Sequence, residues 1–456
     1  MKWPASPTEA GRGSLPPAVA PERAKPPSRL SPQSPSLRRP VALAAALAAL
    51  VQGACVPSQT PDVPPPPDPF VRYPHVQAVT DSSARILWTV AQPLPDTLLY
   101  WPEPAGDTVR LAAPREPTRT RSLRLAPLPA DTRVGYRIRL GPERSATPVH
   151  RFRTAPEPGS RLPGPILVFG DSGAGTEAQI AVARRMAEVE GAELLLHTGD
   201  VAYPDGTETD LTVRHFRVYR ELLARVPFFP SPGNHDVRTQ RGAPFRRAFL
   251  PPGGTWGPGG LHYAFDWGSA RLIALDTTGR EEASGADLRE RGAQYRWLEE
   301  ELAAAATSAE TAWIVVYFHH PPYTSNRTVF AEPHDGRIRE LLAPLFDRYG
   351  VDLVLTGHDH HYERSHPLRG GRIDEDTPGT VYIVTGGGGA RFELFGVGRR
   401  DHAAATAGAH HFVALRFGEG AIELEAIARD GSILDRARIA PVPPEPAAVP
   451  EGPGPR

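Results

Sequence analysis

Seven residues of this chain carry side chains that can share metal ions: Asp171, Asp200, Tyr203, Asn234, His319, His358 and His360. Several stand in one recurring context. An apolar run ends in glycine and a ligating residue follows at once, at ILVF-Gly170-Asp171, LLLHT-Gly199-Asp200 and LVLT-Gly357-His358. FFPSP-Gly233-Asn234-His235-Asp236 is a related case, and WIVVYF-His319 lacks only the glycine. Short apolar runs bounded by turn residues read as buried strands. Ligand sites in α/β sheets gather beyond the carboxyl ends of strands. Glycine there permits a sharp turn, so short polar side chains from distant positions can meet at one rim.

Two carboxylates, an amide, a phenol and three imidazoles offer oxygen and nitrogen but no thiolate. That set suits iron, zinc or manganese. Seven donors exceed what one tetrahedral ion needs. If Asp200 bridges, they divide into two sets of four, and two ions roughly 3.5–4 Å apart clamp a phosphoryl group and generate hydroxide at neutral pH. Each motif alone has an ordinary reading: Gly-Asp is a common turn, and a buried tyrosine usually packs. The run Gly357-His358-Asp359-His360-His361 is stronger, because two imidazoles two residues apart in one loop rarely serve packing. Together, in this order, the seven outweigh those readings.

The elements that must position them follow from patterning. From Pro165 onward strands alternate with helices. A helix over 176–190 puts Val182, Met186 and Val189 on one face, and a helix over 336–349 aligns Ile338, Leu342, Leu345 and Tyr349. Strands are expected at 166–169, 194–196, 313–318, 353–355, 381–384, 412–417 and 421–428. Ahead of this α/β region, residues 70–155 hold short β-branched and aromatic runs between turn residues. In one of them Val134, Tyr136, Ile138 and Leu140 alternate with polar or small residues, the period of a half-buried strand in an all-β sandwich.

The chain has 456 residues, 40% hydrophobic, enough for more than one core. A net charge of -1 and scattered basic residues give no field that attracts a nucleic-acid duplex. Residues 1–40, rich in Pro, Ser, Arg and Ala, read as a disordered extension. Arg38-Arg39, the apolar run Val41 to Val51 and Gln52-Gly53-Ala54-Cys55 then form an export signal too short for a spanning helix. Cys55 is the only cysteine. Its setting resembles the cleavage box of bacterial lipoproteins, with Gln52 where Leu is usual; the plain alternative is an ordinary cleaved signal. The expected location is therefore outside the bacterial cytoplasm, secreted or tethered by a lipid on Cys55, with membrane contact only through that lipid. The expected divisions are 1–55 extension plus signal, 56–69 a Pro-rich linker, 70–155 the sandwich, 163–440 the catalytic domain and 441–456 a disordered tail. Without other cysteines, the assembly is a monomer or a non-covalent homodimer.

The ordered motifs Asp171-Ser-Gly173, Gly199-Asp-Val-Ala-Tyr203, Gly233-Asn-His-Asp236, Val316-Tyr-Phe-His319 and Gly357-His-Asp-His360 resemble the signature blocks of the purple acid phosphatases, calcineurin-like metallophosphoesterases. Residues 70–155 resemble the fibronectin-III-like domain of plant and bacterial members. Tyr203 is the discriminating residue. The resemblance implies a four-layer αββα catalytic domain. It implies Fe(III) at Asp171, Tyr203 and His360, and zinc, Fe(II) or manganese at Asn234, His319 and His358, with Asp200 bridging. It selects His319 over His320, because the family ligand precedes proline by two positions. It gives His235 a phosphate-contacting catalytic role, and His334 (in FAEPHDG) that of leaving-group proton donor. The implied activity is acid-phosphatase hydrolysis of a small phosphate monoester by attack of metal-bound hydroxide on phosphorus. A phosphodiesterase or nucleotidase on the same scaffold, or a non-catalytic surface binding protein, are the competing readings.

Overall fold

A computed structural model describes residues 60–445 apart from 105, 113–117, 142–146, 281–287, 327–333, 374–376 and 393–399, with only the backbone for 334–336. The predicted extension, export signal and Cys55, and residues 446–456 of the predicted 441–456 tail, lie outside the described residues. Of the predicted linker, 60–69 is described, and Arg220 donates to the carbonyls of Pro64 and Pro65 at 2.9 and 3.0 Å, so this stretch lies along the folded body. Among the described residues, no helix is long and apolar enough to cross a membrane.

Seven strands build the N-terminal sandwich: β1 (Phe70–Gln77), β2 (Ala84–Val90), β3 (Asp96–Pro102), β4 (Val109–Ala112), β5 (Thr120–Leu125), β6 (Arg133–Leu140) and β7 (His150–Arg153). They pair as β1-β2-β5 and β4-β3-β6-β7, all antiparallel. In β6, Val134, Tyr136, Ile138 and Leu140 are buried while Arg137 and Arg139 are exposed, which is the expected alternation. The sandwich is bonded to the body behind it. Tyr136 Oη donates to Ala224 O at 2.8 Å, and the buried Gln77 amide donates to Ala248 O (2.9 Å) and accepts from Leu250 N (2.8 Å).

The body contains β8 (Ile166–Phe169), β9 (Leu194–His197), β10 (Phe228–Pro230), β11 (Tyr263–Trp267), β12 (Ala270–Ala274), β13 (Trp313–Tyr317) and β14 (Leu353–Thr356). There follow β15 (Tyr362–Ser365), β16 (Leu368–Arg369), β17 (Arg372–Ile373), β18 (Val381–Thr385), β19 (Ala403–Ala407), β20 (His411–Phe417), β21 (Ile422–Ala428) and β22 (Ile433–Ile439). One sheet has the order β10-β9-β8-β20-β21-β22 and the other β11-β12-β13-β14-β18-β15-β19. Within the first, β8, β9 and β10 run parallel; within the second, β12, β13, β14 and β18 do.

The inner faces of the sheets, Ile166, Val168, Leu194 and Leu196 against Val315, Tyr317, Leu353 and Leu355, belong to one buried cluster. On the outer faces, Leu167, Phe169 and Leu195 cluster with Val182 and Met186 of the helix Glu177–Ala187. Ile314, Val316 and Val354 cluster with Leu298 and Leu302 of the helix Ala293–Thr307 and Leu342 and Phe346 of the helix His334–Tyr349. This is the expected αββα layering. It explains why these strands read as unbroken apolar runs: both faces are covered. The first helix is shorter than the 176–190 expected. Thr176 caps its start by accepting from Gln179 N, and Glu188 ends it.

Candidate metal centre

The two sets of parallel strands each place their carboxyl ends at one edge, and there the seven residues meet. Asp171, Asp200 and Asn234 follow β8, β9 and β10; His319 and His358 follow β13 and β14; His360 precedes β15. The turns differ from the sequence expectation in one respect. The left-handed backbone falls on the ligands themselves, with φ of 55° at Asp171, 56° at Asp200 and 68° at His358. Such conformations cost of order 1–3 kcal/mol each for a residue with a side chain and gather at functional sites. Of the preceding glycines, Gly199 shares that backbone, with φ 99°, while Gly233 and Gly357 serve closeness instead. A Cβ on Gly233 would fall 2.1 Å from Asp200 Oδ1, and one on Gly357 would fall 2.4 Å from Asp171 Oδ2.

The site has two halves. In one, Tyr203 Oη lies 3.1 Å from Asp171 Oδ1 and 3.2 Å from His360 Nε2, and that nitrogen is 3.4 Å from Asp171 Oδ1. In the other, His319 Nε2 lies 3.0 Å from Asn234 Oδ1, 3.3 Å from His358 Nδ1 and 3.6 Å from Asp200 Oδ2. Ligand atoms of Asp171, Asp200 and His319 all fall within 4.8 Å of one another. His320 also stands near His319 and His358, with its Nδ1 2.8 Å from Thr277 Oγ1.

Backbone carbonyls settle which ring nitrogens carry protons. Thr198 O lies 2.9 Å from His319 Nδ1 and Arg391 O lies 2.6 Å from His360 Nδ1. A carbonyl only accepts, so each Nδ1 is the donor and each neutral ring turns a lone pair at Nε2 into the site. His319 Nε2, Asn234 Oδ1 and a carboxylate oxygen of Asp200 then face one another as acceptors. Cations satisfy such a convergence, so the donor set fits the metals that the resemblance implies. The electrostatics agree. Burial, then Asp171 and Asp200, pushes the Tyr203 phenol well above its ordinary value, a state that a bound cation inverts. Burial raises Asp171 to about 7 against the pull of His360. At Asp200 burial is outweighed by His319 and His235, which hold the carboxyl below the usual range.

His235 stands beside this group: its ring centroid is 4.4 Å from that of Tyr203, and its Nε2 is 3.9 Å from Asp200 Oδ2. Its Nδ1 donates to Pro204 O at 2.6 Å. The side chain of His334 lies outside the described residues, at the first position of the helix His334–Tyr349.

Sequence reasoning overlooked the residues that hold the ligand loops. Asp236 is fully buried and accepts from Val201 N (3.0 Å), Ala202 N (3.1 Å) and Gly233 N (2.9 Å), pinning the Asp200–Tyr203 turn to the Asn234 turn. Asp359, between two of the histidines, accepts from Thr324 Oγ1 (2.5 Å) and Asn326 Nδ2 (2.8 Å). His197 accepts from Gly199 N at Nδ1 (3.2 Å), so its Nε2–H donates to Ser172 Oγ (2.9 Å) and ties the turn after β9 to that after β8. Asp236 and Asp359 stand inside the motifs; a charged residue next to a ligand was the available signal.

A family model described as calcineurin-like phosphoesterase matches residues 164–362. Human acid phosphatase type 7 is 30% identical over 326 residues, 66% of this chain and 73% of that protein. An uncharacterized Mycobacterium tuberculosis protein is 37% identical over 191 residues, 36% of this chain, and the chain spans only 35% of that relative's length. A purple acid phosphatase from yellow lupin (Lupinus luteus) seeds shares the fold, with a TM-score of 0.69 at 20% identity over 81% of this chain and 74% of that one. The chain belongs to the calcineurin-like phosphoesterases, a hydrolase family, and within them to the purple acid phosphatase group.

Proposed function

We propose that the chain is a two-metal phosphomonoesterase of the acid phosphatase type acting on small phosphate esters. Asp171, Tyr203 and His360 would hold ferric iron, Asn234, His319 and His358 would hold divalent iron, zinc or manganese, and Asp200 would serve both ions. The observation that carries this reading is the convergence of acceptor atoms around His319 Nε2, whose tautomer is fixed by Thr198 O. Two bound cations would neutralise charge on a phosphoryl group and acidify a water. The chain's own residues supply position. His319 and His360 are held in orientation by Thr198 O and Arg391 O, so their lone pairs stay aimed inward. His235 has its Nδ1–H committed to Pro204 O, which leaves Nε2 to meet a phosphate oxygen or carry a proton. His334 is assigned as the proton donor to the leaving alkoxide.

We further propose 70–155 and 163–440 as the two folded domains, and export of the chain with cleavage before Cys55. Mass spectrometry of the mature N-terminus tests the latter; an unprocessed terminus refutes it.

Metal analysis with a visible spectrum, followed by rates on an aryl phosphate monoester and its diester from acid to mildly alkaline pH, tests the function. Two ions per chain, a tyrosinate–iron colour and faster monoester hydrolysis are expected. Faster diester hydrolysis assigns a phosphodiesterase instead, and no hydrolysis by the iron- and zinc-loaded protein assigns a binding protein.

A further inference from the structure

Arginines that look scattered along the sequence of the N-terminal sandwich are collected by strand pairing onto one sheet face. In β6, Arg133, Arg137 and Arg139 are exposed while Val134, Tyr136, Ile138 and Leu140 are buried in the core. In β7, Arg151 is exposed and Arg153 partly so, on either side of the buried Phe152. Residues directly opposite in paired strands share a face. Arg133 stands opposite Arg153 and Gly135 opposite Arg151, and Leu99 of β3 lies between Arg137 and Arg110 of β4. The outward positions of β4-β3-β6-β7 thus hold six arginines and no carboxylate.

Like charges directly opposite in a sheet are unfavourable, and the chain offsets only part of this repulsion. Glu103 and Asp131 border the face and pair with Arg151 at 2.8 Å and Arg153 at 2.6 Å. Arg110, Arg133, Arg137 and Arg139 form no ion pair among the described residues. The missing counter-charge must come from outside the chain. Strands spaced about 4.8 Å apart spread these guanidinium groups over a face roughly 14 Å wide. A linear polyanion offers its charges in a row, whereas a bilayer offers them in a plane, and the plane matches this array. Trp101 lies on the same face. A Cβ on Gly135 would fall 2.6 Å from its Cε2 and 2.7 Å from its Nε1, so the indole is laid across that bare backbone. Arginine forks bind phosphate bidentately, and tryptophan favours the headgroup level of a membrane.

We propose that this face of the sandwich docks on an anionic phospholipid bilayer, its arginines meeting the headgroup phosphates. The contact is separate from any lipid on Cys55 and rests on no feature of the metal centre.

The test is co-sedimentation of the full chain with vesicles of phosphatidylcholine alone, or of equal parts phosphatidylcholine and phosphatidylglycerol. The wild type is expected to bind the anionic vesicles more tightly and to lose that advantage as salt rises. Arg137→Gln/Arg139→Gln should weaken binding to them about thirtyfold, the effect of taking two arginines from a charged surface. Arg85→Gln/Arg124→Gln removes the same charge from the other sheet, where these residues stand opposite each other in β2 and β5, and should bind as the wild type does. The apolar run 41–51 is common to every variant, so attachment through it cancels in the comparison. Equal binding to both kinds of vesicle, unaltered binding in Arg137→Gln/Arg139→Gln, or equal weakening in the two double variants overturns the inference. Retention on an immobilised polyuronate or on duplex DNA without vesicle binding also overturns it, and assigns the face to a linear polyanion.

Discussion

Replacing Asp236 by asparagine tests whether the metal centre depends on a residue that never touches it. In the wild type, Oδ2 accepts from Val201 N at 3.0 Å and Gly233 N at 2.9 Å, while Oδ1 accepts from Ala202 N at 3.1 Å. Burial, then Asp200, pushes this carboxyl up, and the three N–H donors oppose the shift. An amide of the same shape keeps one acceptor oxygen. At best it satisfies Val201 and Gly233, and its NH2 then confronts the N–H of Ala202. Losing a hydrogen bond and stranding a buried donor costs about 1–3 kcal/mol, and the loss of charge assistance brings the expected total to about 3 kcal/mol. The consequence for metal comes through the backbone. Asp200 sits at φ 56°, and the clamp on the two residues after it holds that turn in place. Once the turn relaxes, metal binding must re-order it, which at about 1.4 kcal/mol per decade weakens affinity about ten- to hundredfold. Urea unfolding of metal-free protein measures the first quantity, and chelator competition the second. Asp96→Asn is the control. Asp96 is a buried acceptor in the sandwich, taking Trp88 Nε1–H at 2.8 Å and Arg121 Nε–H at 3.2 Å, so its loss should lower stability and leave metal affinity alone. Wild-type metal affinity in Asp236→Asn, or equal weakening in Asp96→Asn, refutes the reasoning.

Three further outcomes are expected. Asp200→Ala should lose both ions, because the proposed bridge touches each half of the site; two ions still present by elemental analysis would exclude bridging. Gly357→Ala would bring a Cβ to 2.4 Å from Asp171 Oδ2 and 2.9 Å from Thr198 Oγ1. It should cost about 1–3 kcal/mol in thermal unfolding and bleach the colour expected of the proposed ferric site, since Asp171 must move. Glu193→Gln tests linkage away from the metals. Burial pushes the Glu193 carboxyl from its ordinary 4.5 up to about 7, against the pull of Arg153. A raised value means the folded state prefers the proton, so this contribution is complete below 4.5 and is lost as pH rises through 7. The stability of the variant relative to wild type should therefore climb across that window by at most about 3 kcal/mol, at 1.36 per unit. A constant difference between the two unfolding curves would show that Glu193 titrates alike in both states.

The candidate ligand set stood out in the sequence because four of the strands that present it, β8, β9, β13 and β14, are buried at every position. A polar residue just past an unbroken apolar run stands out in one dimension. Two elements that sequence reading passed over also left a signal. In β11, Tyr263, Phe265 and Trp267 are buried while Asp266 is exposed, a period of two. In the helix Ala293–Thr307, Leu298, Leu302 and Ala305 are buried at i, i+4 and i+7. Other features left none. The π-helical turn Leu211–Phe216 buries His215 among the rings of Phe216, Tyr219, Phe228 and Phe249, and nothing in LTVRHF marks that histidine as interior.

The supporting residues show why candidate ligands are easier to single out than what holds them. A ligand is recognisable by type, because few side chains bind metal. A support is defined by its partner, and the partners of Asp236 and His197 are backbone N–H groups or a serine that only strand pairing brings near. Ser172 meets His197 because β8 pairs in parallel with β9, with Phe169 opposite His197, so both turns begin at the same level. The same pairing explains the left-handed ligands. Side chains leaving two adjacent parallel strands at one level point along the sheet edge rather than toward a common ion. A single left-handed residue at Asp171 and another at Asp200 re-aim them. The strain is held by bonds such as Asp171 N to Gly199 O at 3.0 Å and His235 N to Asp200 Oδ1 at 2.9 Å. The turns thus carry strain at Asp171 and Asp200, while Gly357 and Gly233, beside His358 and Asn234, supply the room in which those carboxylates sit.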